Sequence, residues 1–273
     1  MLVKGNFKSP KNKQLFDFQY FNLQIQPMAI LENGNLKGLV GNLVFRKSNE
    51  KTIVQTAPGR KTKQTKGTKA AATDFGHAST AGSRIRHIMA EVHLKLHDSN
   101  MHNRLINQLK RVTRPNRAPL GEKTIRGGKI DRIVNFQFND KCHMHDYMHF
   151  DPEIKLLDKK QIAIKFPKFD MQNDIHRPKY CNLMKLNLMI VVFNFDKQIY
   201  VRSHKHQIPL SLQADPRIVE LEELRFDVND RDAETVLIGM NIEYYERFRE
   251  DYALLNSKDL HPAAIVGAFI IES

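Results

Sequence analysis

The sequence predicts an α+β fold, mainly β: an N-terminal β-hairpin plus two helices, then an antiparallel β-sandwich-like region. Three observations lead there. Apolar residues recur at helical spacing only between about residues 69 and 113, whereas from residue 130 onward they fall in short alternating runs broken by turn-forming residues. Charge then divides the chain. Of a formal net charge of +13, residues 46–130 hold 19 Lys and Arg against 5 Asp and Glu, and residues 131–273 hold 19 against 23. The expected organisation is therefore a possible non-native or disordered extension over 1–27, a basic hairpin-plus-helices module over 28–130, and an antiparallel β region of one or two sandwich-like units over 131–273.

The extension follows from Met28, which opens "MAILENGNLKGLVGN" and reads as a natural start, while residues 1–27 show no period or turn logic. The hairpin is "GLVGNLVFRKSNEKTIVQTA" at 38–57. Leu39–Phe45 and Thr52–Val54 are its strands and the polar "KSNEK" its turn. Phe75, Ala78, Ile85, Ile88, Met89, Val92 and Leu96 then place one face of a helix between about Lys69 and His97, with Thr73 or Asp74 as its cap. Gly76 and Gly82 cost that helix about 1 kcal/mol each relative to Ala, unless they admit another element closely. A second helix is predicted near 100–113, capped by Asn100 and striped by Met101, Leu105, Leu109 and Val112. Its end carries Lys110, Arg111 and Arg114, where the helix dipole favours cations.

Residues 114–129 are rich in Pro and Gly and read as a loop. Seven strands are expected beyond it, at 132–138, 161–166, 183–195, 198–203, 207–212, 235–245 and 263–271. Alternation is plain in Ile162–Ile164–Phe166 and in Leu186–Leu188–Ile190.

Composition excludes several classes. At 273 residues with 41% hydrophobic content the chain can bury a sizeable core, built from aliphatic side chains and 16 Phe without any Trp. Two cysteines, Cys142 and Cys181, do not make a disulfide scaffold. No run approaches the roughly 18 apolar residues of a membrane span, and the first residues lack a signal-like apolar core, so a cytoplasmic protein without membrane contact is expected.

Three motifs bear on function. "APGRKTKQTKGTKAAATDF" at 57–75 runs from strand to helix like a phosphate loop, yet Gly59 and Gly67 are spaced wrongly for one. It remains a basic strap. Arg60, Lys61, Lys63, Lys66 and Lys69, followed by Arg84, Arg86, Arg111, Arg114 and Arg117, are the candidate contacts to nucleic acid or another polyanion. Phe75 is the only aromatic residue between 46 and 135, so contacts would be directed at the backbone rather than the bases. The alternative is a solvated charged face.

"KCHMHDYMHFD" at 141–151 gathers Cys142, His143, His145 and His149, weak candidates for a metal. An extended chain puts His143 and His145 on one face with Cys142 on the other, and only a helix unites His145 with His149. An exposed His-rich turn, with no metal and no cofactor, is the expectation. No nucleophile or metalloprotease signature appears, which points to a non-enzyme.

Taken together, "ENGNLKGLVGNLVFRK" (32–47), "PGRKTKQTKGTKAAATDF" (58–75), "FQFND" (136–140), "IAIKFPKFD" (162–170), "VLIGMNIEYYE" (236–246) and "HPAAIVGAFIIES" (261–273) resemble an uncharacterised family of basic, β-rich bacterial proteins. That family opens with a Gly-containing hairpin, continues through a Lys/Thr/Gln-rich connector and a helical pair, and ends in β domains. The resemblance covers about residues 28–273 and implies the order of elements but no site residues; the His cluster is not part of its pattern. Two functions are expected from different classes: a non-enzymatic polyanion binder using the basic segment, or a structural or assembly protein whose β-sandwich region contacts other protein subunits.

Overall fold

The computed structural model describes residues 29–48, 51–57, 59, 63–158, 161–197, 199–212, 218–230 and 232–271. The proposed extension over 1–27 lies outside them. The chain forms two compact units, Met1–Lys63 and Gln64–Ser273.

The first unit is a four-stranded antiparallel meander of β1 (Ile30–Glu32), β2 (Asn35–Val40), β3 (Leu43–Ser48) and β4 (Lys51–Thr56). Asn33 and Gly34 both take positive φ (50° and 76°), the turn geometry whose twist suits a two-residue hairpin. A second turn at Gly41–Asn42, with Gly41 at φ 58°, divides the single strand expected over Leu39–Phe45 into β2 and β3. β3 pairs with β4 as expected, Ser48 opposite Lys51.

The second unit begins with α1 (Lys66–Ile88), α2 (Ala90–His93) and α3 (Met101–Thr113), then a 3-10 turn at Ile130–Ile133 and β5 (Phe136–Gln137). There follow α4 (Met144–Tyr147), β6 (Glu153–Leu157), β7 (Gln161–Lys165), β8 (Phe169–Asp170), β9 (Leu183–Asn194) and β10 (Ile199–Ser211). The remaining strands are β11 (Ile218–Val219), β12 (Leu224–Asp227), β13 (Thr235–Phe248), β14 (Asp251–Leu254) and β15 (Ala263–Ile270). The main sheet has the order β10-β9-β13-β15-β5, with β14 paired to the far end of β13. A three-stranded sheet, β12-β7-β6, and a short β11-β8 pair complete the β structure. The fold is α+β and mainly β, as the sequence predicts.

The main sheet buries both faces. Even-numbered side chains of β9 and β13, from Met184 to Val192 and from Val236 to Tyr244, share a core with Ile162 and Ile164 of β7. Met189, Val191, Phe193 and Leu237 point the other way, into a core with Ala78, Ile85 and Met89 of α1 and its cap and Leu105 and Leu109 of α3. The unit is thus layered as helices, main sheet, small sheet. The helices complete the sheet's second core and so belong to the unit that runs from Gln64 to Ser273.

Local chemistry explains the other departures. Thr65 caps α1, its Oγ1 accepting the Thr68 N–H at 3.2 Å, so the helix starts well before Thr73. Leu94 and Lys95 take positive φ (46° and 60°) and stop the helical run before His97. Residues 132–138 contain the 3-10 turn, Asn135 at φ 66° and only two residues of strand. The separate strands expected at 198–203 and 207–212 form one edge strand, β10, which tolerates Pro209 because Pro at a sheet edge forfeits little pairing.

The end of α2 is stitched to the sheet. A helix leaves its last carbonyls unpaired, and Val92 O accepts both Asn241 Nδ2 at 2.7 Å and His261 Nε2 at 2.9 Å. Asn256 Nδ2 donates to His261 Nδ1 at 2.8 Å, which leaves the ring proton on Nε2. Gly239 admits the helix here: a Cβ would lie 2.9 Å from both Met89 Sδ and Val92 Cγ2.

Candidate functional site

The first three turns of α1 stand clear of the core; Ala78 is its first buried side chain. Phe75, assigned to the apolar stripe by spacing, is instead 48% exposed. Beyond that point Gly82 lets α3 approach, since a Cβ there would meet Leu109 Cδ1 at 3.3 Å. The loop after α3 then returns to α1. Gly121, at φ 100°, sets its backbone against Ala70, where a Cβ would come within 3.2 Å of the Ala70 Cβ. Asp74 Oδ1 accepts the Lys123 N–H at 3.1 Å, and Lys123 Nζ reaches the Arg114 carbonyl at 3.5 Å.

These contacts shape a groove of about 500 Å³ between α1, α3 and the loop. Lys110, Arg111, Arg114 and Lys123 line it together with Phe75 and Leu120. Lys110 Nζ sits 5.6 Å from the Phe75 ring centroid, a cation–π contact. Among the described residues none of the four cations is ion-paired to a carboxylate. Asp74, the one acid in the lining, spends one oxygen on the Lys123 N–H, and its other oxygen is buried without a partner among the described residues. The groove is electropositive and has an aromatic face at its wall.

Of the residues the sequence singles out, Arg111 and Arg114 meet here. Lys66 and Lys69 are exposed at the start of α1 and do not line the groove. Arg84 lines a separate groove with His77 and Asp196, while Arg86 is half-buried, its carbonyl accepting from His93 Nε2 at 2.9 Å. Arg117 is exposed in the loop outside the lining. Lys63 belongs to the N-terminal unit, and Arg60 and Lys61 lie outside the described residues. Lys123 was not among the candidates. Its signal is weak in sequence, because contacts made across the fold, from Asp74 49 residues away and from Ala70 against Gly121, turn the loop inward.

The His-rich stretch does not converge. Cys142 is buried, with its Sγ 3.9 Å from the Lys258 carbonyl. The rings of His143 and His145 meet edge to face at 5.6 Å, each beside its own acid, Asp140 at 3.6 Å and Asp146 at 3.1 Å. His149 is exposed and separate, with its N–H given to the Asp174 carbonyl at 2.8 Å. Among the described residues no three His, Cys, Asp or Glu side chains are grouped to hold a metal. Likewise no helix among them is long and apolar enough to cross a membrane.

No protein family, curated protein or solved structure matches the chain.

Proposed function

We propose that this chain is a non-enzymatic, cytoplasmic binding protein that engages nucleic acid or another polyanion through the groove between α1, α3 and the loop at 114–123. One observation carries the reading: Lys110, Arg111, Arg114 and Lys123 converge on one groove without carboxylate partners among the described residues. Like charges held together repel one another, and phosphates entering the groove relieve that repulsion while releasing condensed counterions. Four neutralised phosphates give a slope of log affinity against log salt of roughly −3. Electrophoretic mobility shift across a salt series tests this. Absence of any complex at about 50 mM salt, where phosphate contacts are strongest, removes the proposal. Changing all four cations to Ala should abolish the shift, and undiminished binding would move the contact to other cations such as Lys66 and Lys69.

A second reading, as an assembly protein, is favoured by the N-terminal sheet, where Ile30 and Leu31 are each 70% exposed and Val40 and Val54 are about half exposed. Light scattering at micromolar concentration decides it, a monomer counting against self-assembly.

A further inference from the structure

Phe75 is the single aromatic residue of the basic segment, and the fold puts it in the cationic groove rather than in the core. A solvent-exposed aromatic costs hydration free energy, and nothing about a purely electrostatic surface requires one. Its position is chemically specific. Lys110 lies over the ring, Leu120 is 53% exposed beside it, and Arg111, Arg114 and Lys123 share the groove. Flat apolar area ringed by cations is what a nucleotide presents to its binder in reverse: a flat base flanked by phosphates.

We infer that the groove takes a single-stranded nucleic acid with one unpaired base stacked on Phe75 and the flanking phosphates on Lys110, Arg111, Arg114 and Lys123; this rests on the polyanion reading above. A duplex keeps its bases stacked on one another and offers no free face to the ring. The groove's volume, about 500 Å³, suits one extruded nucleotide rather than a helix. Lys110 swings off the ring as the base arrives, exchanging a cation–π contact for a phosphate contact. With a single platform, recognition is tolerant of sequence, since every base has a π-face.

The test compares the full chain with its Phe75→Ala, Phe75→Leu and Phe75→Tyr variants by fluorescence anisotropy. The probes are labelled oligo-U and oligo-dT of about 12 nucleotides, a duplex of equal length, and inorganic polyphosphate as a base-free competitor, all at about 50 mM salt. Phe75→Ala and Phe75→Leu should weaken the single strands about tenfold or more, Phe75→Tyr should restore them, and polyphosphate should be unaffected by any of the three. Phe75 is half exposed, so the variants should fold, and Phe75→Leu keeps apolar bulk if Phe75→Ala loosens α1. Equal losses on single strands and polyphosphate, no loss on either, or a duplex bound as tightly as the single strands would overturn the stacking inference and leave the polyanion reading standing. If the unaltered protein binds none of the probes, both fall.

Discussion

The Asp74 carboxylate accepts the backbone N–H of Lys123 at 3.1 Å, joining the exposed half of α1 to the loop that closes the groove. The contact puts one negative charge inside an otherwise cationic lining. Asp74→Asn keeps an acceptor oxygen for Lys123 and deletes that charge. Polyanion affinity should rise about threefold at low salt and converge with the unaltered protein near about 0.5 M salt, because screening removes the difference. Asp74→Ala should behave differently. It leaves the Lys123 N–H without its partner, costing about 1 kcal/mol of stability, and frees the loop. Anisotropy titrations and urea midpoints on the two variants separate charge from architecture, and a weaker-binding Asp74→Asn would count against the groove as the site.

His261 makes stability depend on pH. Burial holds its pKa below the ordinary 6.5, against the opposing pull of the Val92 carbonyl bond, and burial lowers His93 likewise. Below pH 6.5 the unfolded chain takes up protons that the folded imidazoles refuse. Stability is therefore fully present above pH 6.5 and declines as pH falls from there toward the folded pKa values. Urea midpoints at pH 7.5 and about pH 5.5 should differ in that sense. His261→Ala should cost about 2–4 kcal/mol at neutral pH, from the cavity and the Asn256 N–H left without its acceptor. It should also flatten part of the pH dependence, and an unchanged dependence would assign the effect elsewhere.

Two glycines should respond to Ala with opposite sign. Around Gly76 nothing lies within 4 Å of a built Cβ, so Gly76→Ala gains helix propensity, about 0.5–1 kcal/mol of stability. At Gly239 the new methyl meets Val92 Cγ2 at 2.9 Å, and a β-branched side chain has no free rotamer to retreat into. Gly239→Ala should cost about 1–3 kcal/mol. Equal effects from the two in denaturation would refute the close seating of α2 on β13.

Tyr244 is fully buried, yet its hydroxyl has no hydrogen-bond partner among the described residues, and burial pushes its pKa far up. Removing an unsatisfied hydroxyl removes a penalty. Tyr244→Phe should be neutral or stabilise by up to about 1 kcal/mol. A loss of more than about 1 kcal/mol would mean that the hydroxyl is bonded to a buried water.

Much of the β structure was legible because alternation is a direct projection of one buried face, as at Ile162 and Ile164 of β7. The uninterrupted apolar run from Leu188 to Phe193 also carried information: a strand covered on both faces has no reason to alternate. It marks the layering that joins the helices to the sheet. The helix stop at Leu94 and Lys95 was not readable, because neither residue favours positive φ and tertiary packing imposes it. The candidate site was half visible. Arg111 and Arg114 stand out by composition, but Lys123 acquires its place through Asp74, and Phe75 carries the same helical spacing as core residues although α1 has outrun the core at that point.

The stitch between His261 and Val92 spans 169 residues of chain. β15 likewise pairs with β5, Ile265 opposite Phe136, joining segments remote in sequence. Closing such long loops is entropically costly before any contact rewards it. The β9–β10 and β13–β15 pairings are more local, with Leu183 opposite Ser211 and Thr235 opposite Ile270 at their widest, so those hairpins should form first and wait with one flank of β15 bare. Pulsed hydrogen exchange during refolding should show the amides of Asn135 and Phe138, which donate to the Ile265 and Ala263 carbonyls, protected last. Until then the species is an open sheet with an unpaired apolar strand edge, the form of this protein most exposed to aggregation and most in need of a chaperone.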